Sequence, residues 1–426
     1  MLTIDGLVSA FQHETVICAQ RGQALVMRCR CDTIIPAPKT WCKWRDLNPR
    51  PLPYQGSALP TEPHLHGCGI IKVWTHQVNM QRKIPITDIA QFLAIKDAYD
   101  CVIDVRAPSE FAIDHIPGAI NLPVLSDDER AEVGTIYKQI DPFTARKRGA
   151  VLTNRNIAAH IETLNAHAKD WRPLVYCWRG GQRSGSMALV MNEIGWPVSI
   201  ISGGYKAYRR HIQEQLNRIL PQIQLIVLAG PTGCGKTKLL KRLQEHGHQI
   251  LDLEALAGHR GSLLGQEPDE SQPSQKLFES RLFEALSQLD LTKPILIESE
   301  SSKIGEVHVP QALFQNLITS RVIAFTCDRS KRAAFLLEQY QHLTQHPEIT
   351  QQLIQRLEFR HGKKQIAHWV KLIEARCWDQ LAESLLEQHY DPAYDRSQKR
   401  LKVTAHCELE QPGQPESLAI FGQIAD

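Results

Sequence analysis

Two blocks of short apolar runs, each separated by helical patterns, organise the chain after an irregular start. In the first block, 99–106 (Tyr-Asp-Cys-Val-Ile-Asp-Val-Arg) predicts a short strand ending at Asp104 and Arg106. A helix is expected over about 155–169. Next, 173–177 (Pro-Leu-Val-Tyr-Cys) is a buried strand running into Trp-Arg-Gly-Gly-Gln-Arg-Ser, and a helix follows with Met187, Leu189, Val190 and Ile194 on its apolar side. The run 198–201 is the next strand. In the second block, 222–229 is a buried strand that meets a glycine-rich turn, after which Leu239, Leu240 and Leu243 open a helix. Two more apolar runs, 249–252 and 294–298, each end in an acidic residue. Strands alternating with helices imply parallel sheets with helices on their faces. The expected fold is therefore α/β, a parallel-sheet domain over 80–215 followed by a second α/β domain over 216–395, with 396–426 as a C-terminal tail.

Residues 1–79 break the pattern. They hold five of the eleven cysteines, seven prolines between Pro36 and Pro63, and no persistent period. The stretch 45–62 resembles the peptide obtained when a structural-RNA gene is read in frame, and Met80 precedes the first good domain pattern. A spurious or disordered extension is favoured over a Cys-rich metal- or RNA-binding arm built on Cys29, Cys31, His64, His66 and Cys68, because no paired C-x-x-C spacing occurs. These 79 residues carry eight basic and five acidic groups, which accounts for the whole net charge of +3. Nucleic-acid binding would then need local basic patches, such as Arg329, Lys331 and Arg332, or Lys363 and Lys364, or Lys399, Arg400 and Lys402. No apolar run reaches the roughly 18–20 residues of a membrane span, and no secretory signal is seen. Scattered thiols fit a cytoplasmic protein.

Chemistry concentrates at two turns. Cys177 ends a buried strand, where open α/β sheets bind ligands. Gly180 and Gly181 let several N–H groups converge there, the following helix adds its positive end, and Arg179, Arg183 and Ser184 complete a cradle. Such a cradle holds a thiolate, or a persulfide or selenopersulfide on it. A packed structural cysteine is the competing reading, and it is the better one for Cys101. The second turn, Gly230-Pro-Thr-Gly-Cys-Gly-Lys-Thr237, fits G-x-x-x-x-G-K-[ST] between strand and helix. Gly230, Gly233 and Gly235 free amides for phosphate oxygens, Lys236 adds charge, and the Thr237 hydroxyl is suited to Mg²⁺. Asp252, Glu298 and Glu300 are candidates for general acid/base work or a Mg²⁺ shell, and equally for plain strand-end carboxylates. The turn at His259-Arg-Gly-Ser262 is a further candidate for an anion.

The first block, with Asp-Val-Arg, His-Ile-Pro-Gly-Ala-Ile-Asn, Cys-x-x-Gly-x-x-Arg-Ser and Gly-Gly-Tyr-Lys-Ala-Tyr, resembles a rhodanese domain. Five residues separate Cys177 from Arg183, where most single-domain rhodaneses have four. A wider cradle would suit a phosphate-bearing donor. A rhodanese domain followed by a P-loop NTPase-like domain, together with Leu251-Asp-Leu-Glu, Ile297-Glu-Ser-Glu-Ser-Ser-Lys-Ile-Gly305 and His389-Tyr-Asp-Pro392, resembles the bacterial tRNA 2-selenouridine synthase family over about residues 80–395. That resemblance implies a transferase that converts 2-thiouridine at the wobble position of tRNAs for Lys, Glu and Gln to 2-selenouridine. It implies a route through S-geranyl-2-thiouridine, with geranyl diphosphate and selenophosphate as co-substrates and no permanently bound cofactor. Cys177 would carry the chalcogen, and a monomer is expected. The alternatives are an ATP-dependent tRNA sulfurtransferase or kinase with a rhodanese domain, and a non-catalytic anion- or RNA-binding module.

Overall fold

The computed structural model describes residues 83–261 and 271–414, with Ser397 and Gln398 in backbone only, and the backbone of three short strands nearer the start. The chain divides into two compact units, 1–82 and 83–426. In the first, Val16–Gln20, Gln23–Arg30 and Thr33–Ile35 pair as an antiparallel sheet. The rest of the expectation for 1–79, including the metal arm, lies outside the described residues.

The second unit contains two five-stranded parallel sheets. In the first the order is Ile86–Thr87, Ser199–Ile201, Pro173–Tyr176, Cys101–Asp104, Ile120–Asn121. Neighbouring residues on its central strands serve opposite faces, as the pleat requires. Val102, Leu174 and Tyr176 pack on one side, while Ile103, Val105, Val175 and Cys177 pack on the other. The helix that follows the cysteine loop, Gln182–Ile194, buries Ser184, Met187, Ala188 and Met191. This corrects the expected apolar side, because Leu189 and Ile194 are about half exposed. Positions 184, 187, 188 and 191 recur at helical spacing, which turns the other two outward. The helix expected over 155–169 is longer and begins earlier, Pro142–Thr163, with Asp141 accepting from the amides of Phe143 and Thr144 at its start.

The second sheet runs Ile250–Leu251, Ile295–Glu298, Leu225–Ala229, Arg321–Thr326, Val403–Glu408. Its last strand lies in the stretch expected to be a tail. It is an edge strand of the P-loop sheet, and beyond it the Gly413 amide donates to the Cys234 carbonyl at 2.9 Å. Helices from Arg329 to Gln398, including a π-helical turn at Leu386–Tyr390, form a cap with its own core around Trp369, Ile373 and Leu381.

The two sheets share a core. Tyr208, Ile212 and Leu216 of the helix Gly204–Ile219 join Phe278, Leu282 and Leu286 of Gln275–Ser287 in one apolar cluster. Ion pairs Arg209–Glu279 and Lys96–Glu284 (2.7 Å) flank it. Asn316 donates to the carbonyls of Leu220 and Ile223, both at 2.8 Å, and so ties the connecting segment down.

Candidate functional site

The loop after Pro173–Tyr176 curls around the sulfur of Cys177. Gly181 N–H donates to Sγ at 3.3 Å and the Ser184 hydroxyl donates to it at 3.2 Å. Burial would push this thiol up. The Ser184 hydroxyl, with the amides of Ser184, Arg179 and Gly181, outweighs it, so the pKa lies below the ordinary value. Gly181 and Ser184 of the expected cradle thus meet the sulfur, while Gly180, at φ +65°, turns the loop. The arginines behave differently. Arg183 pairs with Glu110 at 2.9 Å, and Glu110 also holds Arg130 at 2.9 Å; Arg179 contributes its amide and is exposed. Oriented N–H and O–H dipoles, rather than arginine charges, lower this thiol.

A second strand end braces this loop from behind. Tyr205 N–H donates to the Cys177 carbonyl at 2.8 Å, and Lys206 N–H to the Trp178 carbonyl at 3.0 Å. The approach is so close that a Cβ on Gly204 would stand 2.2 Å from the Cys177 carbonyl oxygen, and Gly204 also has φ +55°. Beneath lies a buried pair: Arg106 Nη2 donates to Asp104 at 2.6 Å and to the Asp114 carbonyl at 2.6 Å, and its guanidinium lies 4.0 Å from the Tyr205 ring centroid. Cys101 is half-buried against the core and its thiol is pushed up by burial, which agrees with a packing role. Trp178, next to Cys177, is 37% exposed.

The phosphate loop joins Leu225–Ala229 to the helix Lys236–Glu245. Lys236 Nζ donates to the Gly230 carbonyl at 3.0 Å. Thr237 Oγ1 lies 3.5 Å from a Glu254 carboxylate oxygen. Gly230, Gly233, Gly235, Lys236 and Thr237 all line one cleft of about 1410 Å³. Arg332, 4% exposed, locks the loop from the cap side: it donates to the Thr232 carbonyl at 2.9 Å and pairs in a fork with Asp391, both bonds 2.9 Å. Arg329 pairs with Glu387 and Asp391. Two of the basic residues expected to meet RNA are thus engaged inside the protein, Arg332 joining the cap to the P-loop and Arg329 tying the cap together. Lys363, Lys364, Lys399, Arg400 and Lys402 are exposed, and Arg400 lines the cleft.

Carboxylates gather opposite Lys236. Asp252, Glu298 and Glu300 line the cleft, as does Glu254, which the sequence reading did not single out. Asp252 accepts from Ala255 N–H at 2.9 Å and so caps the short helix Leu253–Ala257. That cap turns Glu254 toward the phosphate loop. A Cβ on Gly261 would meet Glu254 Oε1 at 2.6 Å and Glu300 Oε2 at 3.0 Å, which shows how closely the two acids converge. Burial, with the charges of Glu300 and Glu298, pushes Glu254 up to about 9. Burial and Glu298 push Glu300 up to about 7. Glu298 is raised by burial against the pull of Lys236, and its Oε1 has no hydrogen-bond partner. Among the described residues no group of three His, Cys, Asp or Glu is arranged to hold a metal alone. Mg²⁺ at a phosphate usually keeps several waters and takes one or two carboxylates. Thr237, Glu254 and Glu298 fit that demand.

The turn at His259 is less open than expected. His259 is buried, and Arg260 donates to the Gln339 carbonyl at 2.8 Å and stacks on Tyr340; Ser262 lies outside the described residues. On the far wall, His389 sits in the π-helical turn, 2.9 Å from His361 between ring nitrogens. Burial, then His361 and neighbouring arginines, hold it down to about 4, so it stays neutral. Turns of this kind recur at functional sites.

Known proteins match both halves. Residues 88–211 match the rhodanese-like domain, and 223–377 match the tRNA 2-selenouridine synthase AAA domain. A protein of Alcanivorax borkumensis named tRNA 2-selenouridine synthase is 32% identical over 327 residues, 69% of this chain and 88% of that one. The chain belongs to the tRNA 2-selenouridine synthase family. Family proteins of the same name from Nitrosomonas europaea (37% identical, 56% of this chain) and Bdellovibrio bacteriovorus (40%, 52% of this chain) also align. The chain spans 63% and 59% of those two relatives' lengths. No helix among the described residues is long and apolar enough to cross a membrane.

Proposed function

We propose that this chain converts 2-thiouridine at the wobble position of tRNAs for Lys, Glu and Gln to 2-selenouridine through S-geranyl-2-thiouridine, as a monomer in the cytoplasm. The observation that carries the reading is a thiol lowered by amides and Ser184 in the same unit as a phosphate loop that lines a large cleft, in a chain of this family.

Geranyl diphosphate belongs at the second turn. The ring sulfur attacks C1 of the geranyl chain, the C–O bond breaks, pyrophosphate leaves with the electron pair, and the N3 proton of the base passes to solvent. Lys236 and the loop amides stabilise that departing charge, which is where preorganised donors count most. The raised carboxylates favour protonated forms beside an anion, so they do not repel it. A bound Mg²⁺ would supply further positive charge to the diphosphate, held by Thr237, Glu254 and Glu298, and would displace the proton that Glu254 keeps in its absence. Alkylation makes the ring sulfur a better leaving group. Cys177 adds to C2 and expels the geranyl thiol, the selenium of selenophosphate then displaces Cys177 from C2, and water cleaves the Se–P bond to release phosphate, so no atom changes oxidation state. Trp178 offers a π-face beside the sulfur for an unstacked base.

Nucleoside mass spectrometry on thiolated tRNA, with geranyl diphosphate and selenophosphate, separates the two steps. Lys236→Ala should abolish geranylation, whereas Cys177→Ala should keep it and lose selenium entry. Geranylation surviving in the lysine variant removes the P-loop from that step. ATP hydrolysis that rises with tRNA would favour a sulfurtransferase or kinase instead.

A further inference from the structure

A second, smaller hollow opens from the phosphate cleft into the helical cap. Thr232 of the phosphate loop, Leu336, Tyr340 and Tyr390 line both. Beyond them the hollow is walled by Leu343, Trp378, Ala382 and Leu385, among others, and none of its lining residues is charged. Its volume is about 70 Å³, room for roughly five waters or one branched five-carbon unit. Thr350, among its polar lining groups, donates its hydroxyl to the Leu343 carbonyl at 2.7 Å. Water gains little in such a place, and burying apolar surface there is favourable by roughly 25 cal/mol per Å².

A nucleotide base presents ring nitrogens and exocyclic groups that need partners. An apolar recess beside a phosphate cradle suits a different ligand, with an anionic head and a hydrocarbon tail. We infer that this recess in the cap receives the distal isoprenoid unit of an allylic diphosphate whose head lies in the phosphate loop, and that its depth sets the chain length accepted. The inference rests on the proposed function and specifies its subsite. The proximal unit crosses the mouth between Leu336, Tyr340 and Tyr390. Arg332, braced within the cap by Asp391, donates to the Thr232 carbonyl of the loop and so holds the spacing of head and tail sites.

Calorimetric titration of the full chain with inorganic pyrophosphate, geranyl diphosphate and farnesyl diphosphate tests this. Geranyl diphosphate should bind the native protein at least tenfold more tightly than pyrophosphate. Ala382→Phe, which fills the recess, should cut geranyl diphosphate affinity at least tenfold and leave pyrophosphate affinity unchanged. Leu343→Ala, which deepens it, should shift preference toward farnesyl diphosphate by about tenfold, and provides a second reading if the first variant folds poorly. Equal affinity for pyrophosphate and geranyl diphosphate, or a geranyl affinity indifferent to both substitutions, overturns the tail site while leaving the phosphate cradle standing. Failure of pyrophosphate and geranyl diphosphate alike to bind would strike the underlying functional reading.

Discussion

The sulfur loop and the phosphate loop use one backbone device to opposite ends. Each leaves a buried parallel strand, turns on glycines and enters a helix. Each is pressed from behind by backbone from a later segment: Gly204 against the Cys177 carbonyl, and Gly413 against Cys234 and Gly235. The first loop is fitted to an anion that the protein itself supplies. Its thiol is lowered although burial opposes it. In the second loop Cys234 has no such donors, and burial pushes its thiol up to about 11. That loop lines a cleft with carboxylates driven upward. The lesson is that a glycine turn from strand to helix does not by itself define a site. What sits against it does.

The sharpest way to break this comparison is Gly204→Ala. An added Cβ would have to lie 2.2 Å from a backbone oxygen and 2.7 Å from the Gly180 nitrogen, neither of which can swing away. Overpacking of this kind costs about 1–3 kcal/mol, and the positive φ adds to it. We expect a loss of about 3 kcal/mol in a denaturant titration, together with slowed alkylation of Cys177. The opposite brace predicts the control: pyrophosphate binding at the second loop should stay within a factor of two under native conditions. If Cys177 alkylates at the native rate, the brace has no part in shaping the cradle.

Both loops were legible in the sequence because each is a contiguous run whose residue types have a mechanical reason. Less was legible where partners are distant. Glu254 reaches the phosphate loop only because Asp252 caps a five-residue helix, and no local pattern announces that turn. Arg332 read as one of several surface cations, and its partner Asp391 lies 59 residues away. The edge strand Val403–Glu408 did leave a signal, since Val403, Ala405 and Cys407 alternate with more exposed residues. A lone parallel edge strand whose neighbour lies some 80 positions earlier is easily passed over as a tail. The arginines of the sulfur loop show the converse. Their presence was legible, but Glu110 claims Arg183 and the positive charge with it.

Ser184→Ala sharpens the claim that dipoles hold the sulfur. A hydrogen bond to a charged group contributes about 1.5–3 kcal/mol, so losing this one should slow alkylation of Cys177 at neutral pH roughly tenfold. Arg183→Gln should change it by less than threefold, because that guanidinium already faces Glu110. The pH dependence of iodoacetamide labelling in the two variants measures both. A larger effect from the arginine would restore charge, rather than dipoles, as the cause.

The smallest effect belongs to the carboxylates of the phosphate cleft, and its sign follows from their direction of shift. Glu300 is held at about 7 in the folded chain, against about 4.3 for an ordinary glutamate. Between those values the unfolded chain has released a proton that the folded chain keeps, so stability falls as pH rises through this window and levels off above it. Glu300→Gln should remove that part of the fall. The variant should match the native protein near pH 4 and melt about 2 °C higher or more at pH 8. Added pyrophosphate should widen the window upward, because a second anion near Glu300 makes its ionisation harder still. A melting difference that is constant from pH 4 to pH 8 would mean that Glu300 is already ionised in the folded cleft. The phosphate loop would then face fixed negative charge, and the contrast between the two loops would lose its electrostatic half.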